Sequence, residues 1–171
     1  MAQLNFWHNA IGALSNQNRA MSNGTLSFCP MILEDSISIG TLNLYIQQAA
    51  NGTRTFSIGL YSLTGSTLSI INSWSQTYNS RAYYFTCSNT SANQNITPGT
   101  WWLGLLVSTS GTSNAFIYGQ TSINPANAFP GGFIGGRMSD STNALPSSYA
   151  TSDLDITGND AMFVPFILLT A

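Results

Sequence analysis

The sequence predicts an all-β protein, a single antiparallel β-sandwich of the jelly-roll type, from three observations. Apolar and polar residues alternate with a period of two in short runs, as in Arg54–Tyr61, where Phe56, Ile58 and Leu60 share one face. Turn residues separate such runs about every ten residues, a spacing typical of antiparallel sandwiches and barrels. No amphipathic stretch is long enough to supply the helical crossovers that a parallel sheet needs.

The other predicted strands repeat this pattern. They are Thr41–Ile46, a run that starts at Leu68 and Ile70, Tyr83–Cys87, Trp101–Val107, Ala115–Tyr118 and Met162–Leu169. The turn signals are Asn51-Gly52, Thr64-Gly65-Ser66, Pro98-Gly99, Ser110-Gly111 and Gly158-Asn159. The run Trp101–Val107 is apolar on both faces, as expected of a central strand, and Pro165 favours a sheet edge or a bulge for the last run. The predicted core contains Leu42, Leu44, Phe56, Ile58, Leu60, Leu103 and Leu105.

Two segments lack a strand pattern. In Asn9–Met21 the residues Ile11, Leu14 and Met21 can share the face of a short helix, although Gly12 weakens it. The segment Asn124–Ser148 is rich in Pro and Gly and is expected to be a long surface excursion. We therefore divide the chain into an N-terminal anchoring arm, residues 1–27, and a β-sandwich domain, residues 28–171.

Composition excludes several partners. Only 6% of residues are charged, with four arginines, no lysine and a net charge of −2, so no basic surface for nucleic acid is expected. No apolar run is long enough to span a bilayer, and the N-terminus has no basic region followed by a long apolar stretch. The expected protein has no membrane or nucleic-acid partner and is made in the cytoplasm without Sec-dependent export.

Residues for catalysis or metal binding do not cluster in the sequence. His8 is the one histidine, so a nucleophilic triad lacks a positioned base, and two cysteines with one histidine do not make a zinc site. The acidic residues are Glu34, Asp35, Asp140, Asp153, Asp155 and Asp160. Neither a glycosidase carboxylate pair nor a calcium loop at Asp153–Asp160 is favoured, since regular ligand spacing is missing. We predict no enzyme activity, no catalytic residues, no metal and no cofactor.

Cys29 and Cys87 are predicted to be buried free thiols rather than a disulfide, because a domain of this size made in the cytoplasm does not need one.

Four aromatic residues lie among Ser, Thr and Asn and are candidates for stacking on a host glycan. They are Trp74, Tyr78, Trp102 and Tyr149. Burial in the core or in a subunit interface is the favoured alternative, because large aromatic residues dominate both.

Four stretches carry a resemblance to a known family. They are Cys29-Pro30-Met31-Ile32-Leu33, then Phe56-Ser57-Ile58-Gly59-Leu60-Tyr61 with the following Thr64-Gly65-Ser66-Thr67-Leu68, then Thr97-Pro98-Gly99-Thr100-Trp101-Trp102-Leu103-Gly104, and Ala144-Leu145-Pro146 with the closing strand Val164–Leu169. From Phe28 to its end the chain resembles a β-sandwich domain of tailed-bacteriophage virion proteins, which include tail fibres, head fibres and capsid decoration proteins. The resemblance implies no catalytic residue.

The resemblance implies a structural protein of the virion surface, assembled as a homotrimer. A chain that starts at Met1 with no fibre shaft before the domain is expected for capsid decoration or a short head appendage, with the major capsid protein or a fibre as partner. The alternative is a tail-fibre domain that binds a host surface glycan. Apolar residues outside the strand pattern are the candidates for the particle anchor or the subunit interface: Phe6, Trp7, Ile11, Phe129, Phe133 and Ile134.

Overall fold

A computed structural model shows an all-β protein whose strands pair antiparallel throughout the described part of the chain. The structure describes residues 4–5, 17–21, 23–49, 53–78, 84–89, 94–109, 115–120, 136–139, 144–154, 164–165 and 167–170. Strands take up most of these residues, and none of the described residues lies in an α-helix. The predicted all-β class is therefore confirmed.

The strands in chain order are β1 (Leu4–Asn5), β2 (Gln17–Met21), β3 (Thr25–Leu33), β4 (Ile37–Ile39), β5 (Thr41–Ala49), β6 (Arg54–Thr64), β7 (Thr67–Tyr78), β8 (Tyr84–Asn89), β9 (Gln94–Ile96), β10 (Gly99–Thr109), β11 (Ala115–Gln120), β12 (Gly136–Ser139), β13 (Ser148–Ala150), β14 (Val164–Pro165) and β15 (Ile167–Thr170). A short 3₁₀ turn, Thr151–Asp153, follows β13. In the described part of the chain, β4 and β9 form a separate pair and the other strands belong to one hydrogen-bonded network.

The central sheet consists of β7, β6, β10 and β3, side by side in that order. Strand β10 pairs with β3 on one edge and with β6 on the other, so that Leu105 lies opposite both Ser27 and Ile58. Residues 102–107 of β10 are all buried, on both faces of the sheet. The sequence-based prediction of a central strand covered on both sides is confirmed.

One face of the central sheet carries the main core. Its buried members are Cys29, Met31, Leu33, Ile37, Ile39, Leu42, Phe56, Ile58, Leu60, Trp74, Ile96, Leu103, Leu105 and Val107. They come from the central sheet on one side and from β4, β5 and β9 on the other. Trp74 joins the two sides, because its Nε1 donates a hydrogen bond of 3.3 Å to the Gly40 carbonyl between β4 and β5. Every predicted core residue is confirmed except Leu44, whose side chain lies outside the described residues.

The opposite face carries a smaller second core. Its buried members are Leu26, Phe28, Tyr61, Leu68, Trp102, Leu106 and Leu154. Strand β7 contributes to both cores because of a β-bulge. Its register with β6 shifts between Leu60 and Tyr61, which leaves Ile71 as the extra residue. Since side chains alternate along a strand, the insertion turns Trp74 toward the main core and Leu68 toward the second core.

The sheet curls around the second core. Strand β13 pairs with the edge of β7, while Phe28 lies on β3 at the other side of the central sheet. The rings of Tyr149 in β13 and Phe28 nevertheless stack, with centroids 5.9 Å apart. Their contact requires the two sides of the sheet to approach each other over its second face.

Two predicted turns lie among the described residues. Gly65, with φ of 60°, closes the connection between β6 and β7, and Gly99 begins β10 after Pro98 with φ of 146°. Both φ values favour glycine. The predicted turns at Asn51-Gly52, Ser110-Gly111 and Gly158-Asn159 lie outside the described residues.

Three sequence-based expectations need correction. The candidate helix Asn9–Met21 is wrong at its C-terminal end, since Gln17–Met21 is a strand paired with β11. The boundary between residues 27 and 28 falls inside β3, where Leu26 is already buried in the second core, so the folded domain begins before Phe28. The segment Asn124–Ser148 is not all surface excursion, because Gly136–Ser139 pairs with β3 and Leu145 packs on the second core.

Candidate functional site

Two glycines form the floor of the second core. Gly59 in β6 and Gly104 in β10 lie opposite each other, and Phe28 in β3 lies opposite Gly104. A Cβ atom on Gly59 would approach Tyr61 Cε2 to 2.5 Å, and one on Gly104 would approach Phe28 Cε1 and Tyr61 Cε2 to 2.9 Å. The missing side chains therefore leave the space in which the two rings lie against the sheet.

The rings above this floor form a defined aromatic cluster. Phe28 and Tyr61 meet edge to face, with centroids 5.0 Å apart and an interplanar angle of 79°. Tyr149 stacks on Phe28 with an interplanar angle of 26°. These are the geometries that aromatic pairs prefer, and they fix the relative positions of three strands.

Residues 144–154, called the strap below, cover the cluster. Tyr61 donates a hydrogen bond of 3.0 Å from its hydroxyl to the Pro146 carbonyl, and burial raises the pKa of this phenol. The strap side chains that pack on the second core are Leu145, Tyr149 and Leu154. The strap thus supplies the hydrogen-bond acceptor for the buried phenol of Tyr61.

Backbone contacts hold the strap along the β6–β7 hairpin. The Ile70 amide donates to the Ser147 carbonyl at 2.9 Å, and the Thr151 amide donates to the Ser66 carbonyl at 2.8 Å. The Thr151 hydroxyl donates to the same Ser66 carbonyl at 3.1 Å. Strand β13 lies between these anchors and adds a short edge strand to β7.

Farther along the same face, β6 and β7 carry paired hydroxyl groups instead of apolar side chains. Thr55 and Thr77 share a hydrogen bond of 2.7 Å, and Ser57 and Ser75 share one of 3.2 Å. Cross-strand hydroxyl pairs stabilise a sheet while leaving it hydrated. This part of the surface is polar without being charged, as the low charge content predicts.

Large apolar side chains are exposed at three places in the described residues: Ile32 is 48% exposed, Leu63 42% and Ile71 41%. Ile32 and Leu63 lie on the face of the second core, on strands that flank β10. Single exposed aliphatic residues are common on monomeric proteins, so these three do not by themselves define a docking surface.

The glycan-stacking candidates are placed as follows. Trp74 is fully buried in the main core and Trp102 is 4% exposed in the second core, so neither indole has a face open to a sugar. For these two residues glycan stacking is wrong and the alternative of core burial is confirmed. Tyr78 is half-buried against the main core, and half-buried Tyr149 stacks on Phe28 and donates its hydroxyl to the Asp153 carbonyl at 3.1 Å.

The candidate anchor and interface residues all lie outside the described residues: Phe6, Trp7, Ile11, Phe129, Phe133 and Ile134. Their roles stay predictions.

Groups able to do chemistry are sparse in the described residues. Glu34, Asp35 and Asp153 are exposed, and no three His, Cys, Asp or Glu side chains in the described part of the chain lie close enough to hold a metal ion. His8, Asp155 and Asp160 lie outside the described residues, so the weak calcium loop at Asp153–Asp160 stays untested. Within the described part of the chain, no helix is long and apolar enough to cross a membrane.

Cys29 is a free thiol in the main core, as predicted, and is therefore not bonded to Cys87. Burial raises its pKa from the ordinary value of 9.0 to about 12. A thiol held protonated in an apolar core is not a nucleophile at neutral pH. The side chain of Cys87 lies outside the described residues.

Comparison with known proteins assigns no family. No protein-family model matches the chain, and no curated protein matches its sequence significantly. The site is therefore defined by its own geometry: a glycine floor, an aromatic cluster and a strap that covers it.

Proposed function

We propose that the chain is a non-enzymatic structural protein of a tailed-phage virion surface, a capsid decoration or short head appendage. The observation that supports this most is the place where the resembling stretches meet. Gly59 and Tyr61 belong to the second stretch, Trp102 and Gly104 to the third, and Pro146 to the fourth. All five are brought together at the second core.

That convergence gives the residues of these stretches one common structural role. They form one unit, which consists of three parts that pack together. Gly59 lies two residues before the buried Tyr61, Gly104 lies opposite Gly59, and the Pro146 carbonyl accepts a hydrogen bond from the Tyr61 hydroxyl. We propose on this basis that the central sheet and the set of β4, β5 and β9 are the two layers of a jelly-roll-like sandwich.

The surface suits a structural role. It offers paired hydroxyl groups in place of charges on β6 and β7, and the described acidic residues are exposed and do not converge. The alternative role, a tail-fibre domain that binds a host glycan, receives no support from Trp74 and Trp102, which are buried. As partners we propose further copies of this chain, as a homotrimer implied by the family resemblance, and the major capsid protein.

Immunogold labelling of intact purified virions tests this role. An antibody raised against the folded domain should label the head at many sites per particle, and free protein added in excess should remove the label. Labelling confined to fibre tips would favour the glycan-binding alternative. Intact virions without label, when the same antibody detects the protein elsewhere in the infected cell, would overturn the proposal.

A further inference from the structure

The two cores of the central sheet are separate clusters of side chains. Among the residues that the structure describes, no buried residue belongs to both cores, and no residue of the strap, 144–154, belongs to the main core. The strap supplies Leu154 to the second core and packs Leu145 and Tyr149 against it. Loss of the strap contacts would therefore leave the contacts of the main core unchanged.

The strap is also held by far fewer backbone pairs than the strands beneath it. Strand β13 pairs with β7 over three residues, Ser148–Ala150, whereas β6 pairs with β10 over eight and with β7 over eleven. Local opening is easiest where a segment has few hydrogen bonds and few buried contacts. By this measure the strap is the most separable part of the site.

The other side of the second core is fixed independently of the strap. Phe28, Trp102 and Leu106 lie on β3 and β10, whose alternate residues Cys29, Met31, Leu103 and Leu105 are packed in the main core. The pairing of β10 with β3 and with β6 involves no residue of the strap. Removal of the strap contacts would therefore expose apolar side chains on a sheet whose own pairing is unchanged.

We infer that the strap is a latch that opens as a unit while the main core stays folded, and so exposes Phe28, Tyr61 and Trp102 reversibly. Three kinds of contact hold the latch closed. The Tyr61 hydroxyl donates to the Pro146 carbonyl, the Ile70 and Thr151 amides make backbone hydrogen bonds between the strap and β6–β7, and the Tyr149 ring stacks on Phe28. This inference does not depend on the proposed virion role.

Native-state hydrogen exchange on the full chain tests the inference. The Ile70 and Thr151 amides report the latch, and the slowest amides of β6 and β10 report global unfolding. We expect the two latch amides to exchange at least tenfold faster than the slowest core amides, with a weaker dependence on added denaturant, because opening exposes less surface than unfolding. Equal protection and equal denaturant dependence in both sets would overturn the latch.

Two substitutions on β6, on opposite faces, make the test specific. Tyr61→Phe removes the bond to Pro146 and should raise exchange at the latch amides about fivefold. Ile58→Val removes one methyl group from the main core, whose packing is the same whether the latch is open or closed. It should raise exchange of the core amides about fivefold and leave the latch amides unchanged. A parallel rise at both sets of amides in Ile58→Val would show one cooperative unit and would contradict the inference.

Discussion

The glycine floor gives the sharpest prediction about stability. Gly104→Ala places a methyl group 2.9 Å from Phe28 Cε1 and also 2.9 Å from Tyr61 Cε2. Both rings are buried, at 1% and 0% exposure, so neither can swing into solvent. Each ring would have to move by roughly 0.5 Å to reach ordinary van der Waals contact.

The expected cost follows from two opposing effects. Overpacking a filled core costs about 1–3 kcal/mol, whereas replacing a glycine by alanine in an extended strand recovers about 0.4–1 kcal/mol through the unfolded state. The net loss should be about 1–2 kcal/mol in the free energy of unfolding. For a chain of this length that corresponds to a fall in Tm of about 2–8 °C.

The assay is urea or thermal denaturation followed by circular dichroism, with Phe28→Leu as a second background. Shortening Phe28 makes room for the added methyl, so Gly104→Ala should cost clearly less in Phe28→Leu than in the wild type. Gly65→Ala is the control: its φ of 60° disfavours alanine, but no atom lies within 4 Å of the added Cβ. Its cost should be the same in both backgrounds. A Gly104→Ala protein as stable as the wild type, or equally destabilised with and without Phe28, would refute the proposed floor.

Three further predictions concern the core, pH and metal. Trp74→Phe should lower the free energy of unfolding by about 2 kcal/mol, because it removes a buried hydrogen bond and leaves a cavity in the main core. Trp101→Phe, at a half-buried indole, should lower it by less than about 1 kcal/mol. Urea titration measures both changes. Because the pKa of Cys29 is raised from 9.0 to about 12, unfolding above pH 9 releases a proton from the thiol. The thiol should therefore cost no stability below pH 9 and should remove about 1.4 kcal/mol per pH unit between pH 9 and 12. The Tyr61 phenol, whose pKa burial also raises from 10.0, adds to this loss above pH 10, so the slope should be smaller but not zero in Cys29→Ala. EDTA should leave Tm unchanged, and a large drop restored by calcium would instead indicate a site in the Asp153–Asp160 loop.

The strands that the sequence predicts well are those with one environment on each face. Arg54–Tyr61 alternates because Phe56, Ile58 and Leu60 enter the main core, whereas the residues between them, Ser57 and Gly59, lie on the opposite face. The run Trp101–Val107 is continuous because both of its faces are covered. Simple alternation or a continuous apolar run is enough to identify such strands.

Strand β3 has no such signature. Leu26 and Phe28 face the second core, and Cys29, Met31 and Leu33 face the main core. Because both faces carry apolar residues, β3 shows no alternation of apolar with polar residues. Pro30 also argues against a central strand. The structure tolerates it because β12 pairs with β3 only up to Phe28, so in the described residues the backbone of Pro30 has β10 alone as a neighbour.

The candidate site was harder to predict than the sheet, because it depends on contacts between distant segments. Gly59 and Gly104 look like weak points in strands until the rings of Phe28 and Tyr61 are placed over them. The strap has few apolar residues at irregular spacing, and its order comes from the surface on which it packs. The bulge at Ile71 breaks the alternation of β7, and its location follows only from the pairing with β6.

Electron cryo-microscopy of purified virions tests most directly the central claim, the proposed structural role on the virion surface. The claim predicts repeated density on the outside of the head, in groups of three copies, into which the curled sheet with its two cores fits without rearrangement. Complete maps of head and tail with no density that fits this sheet would contradict it.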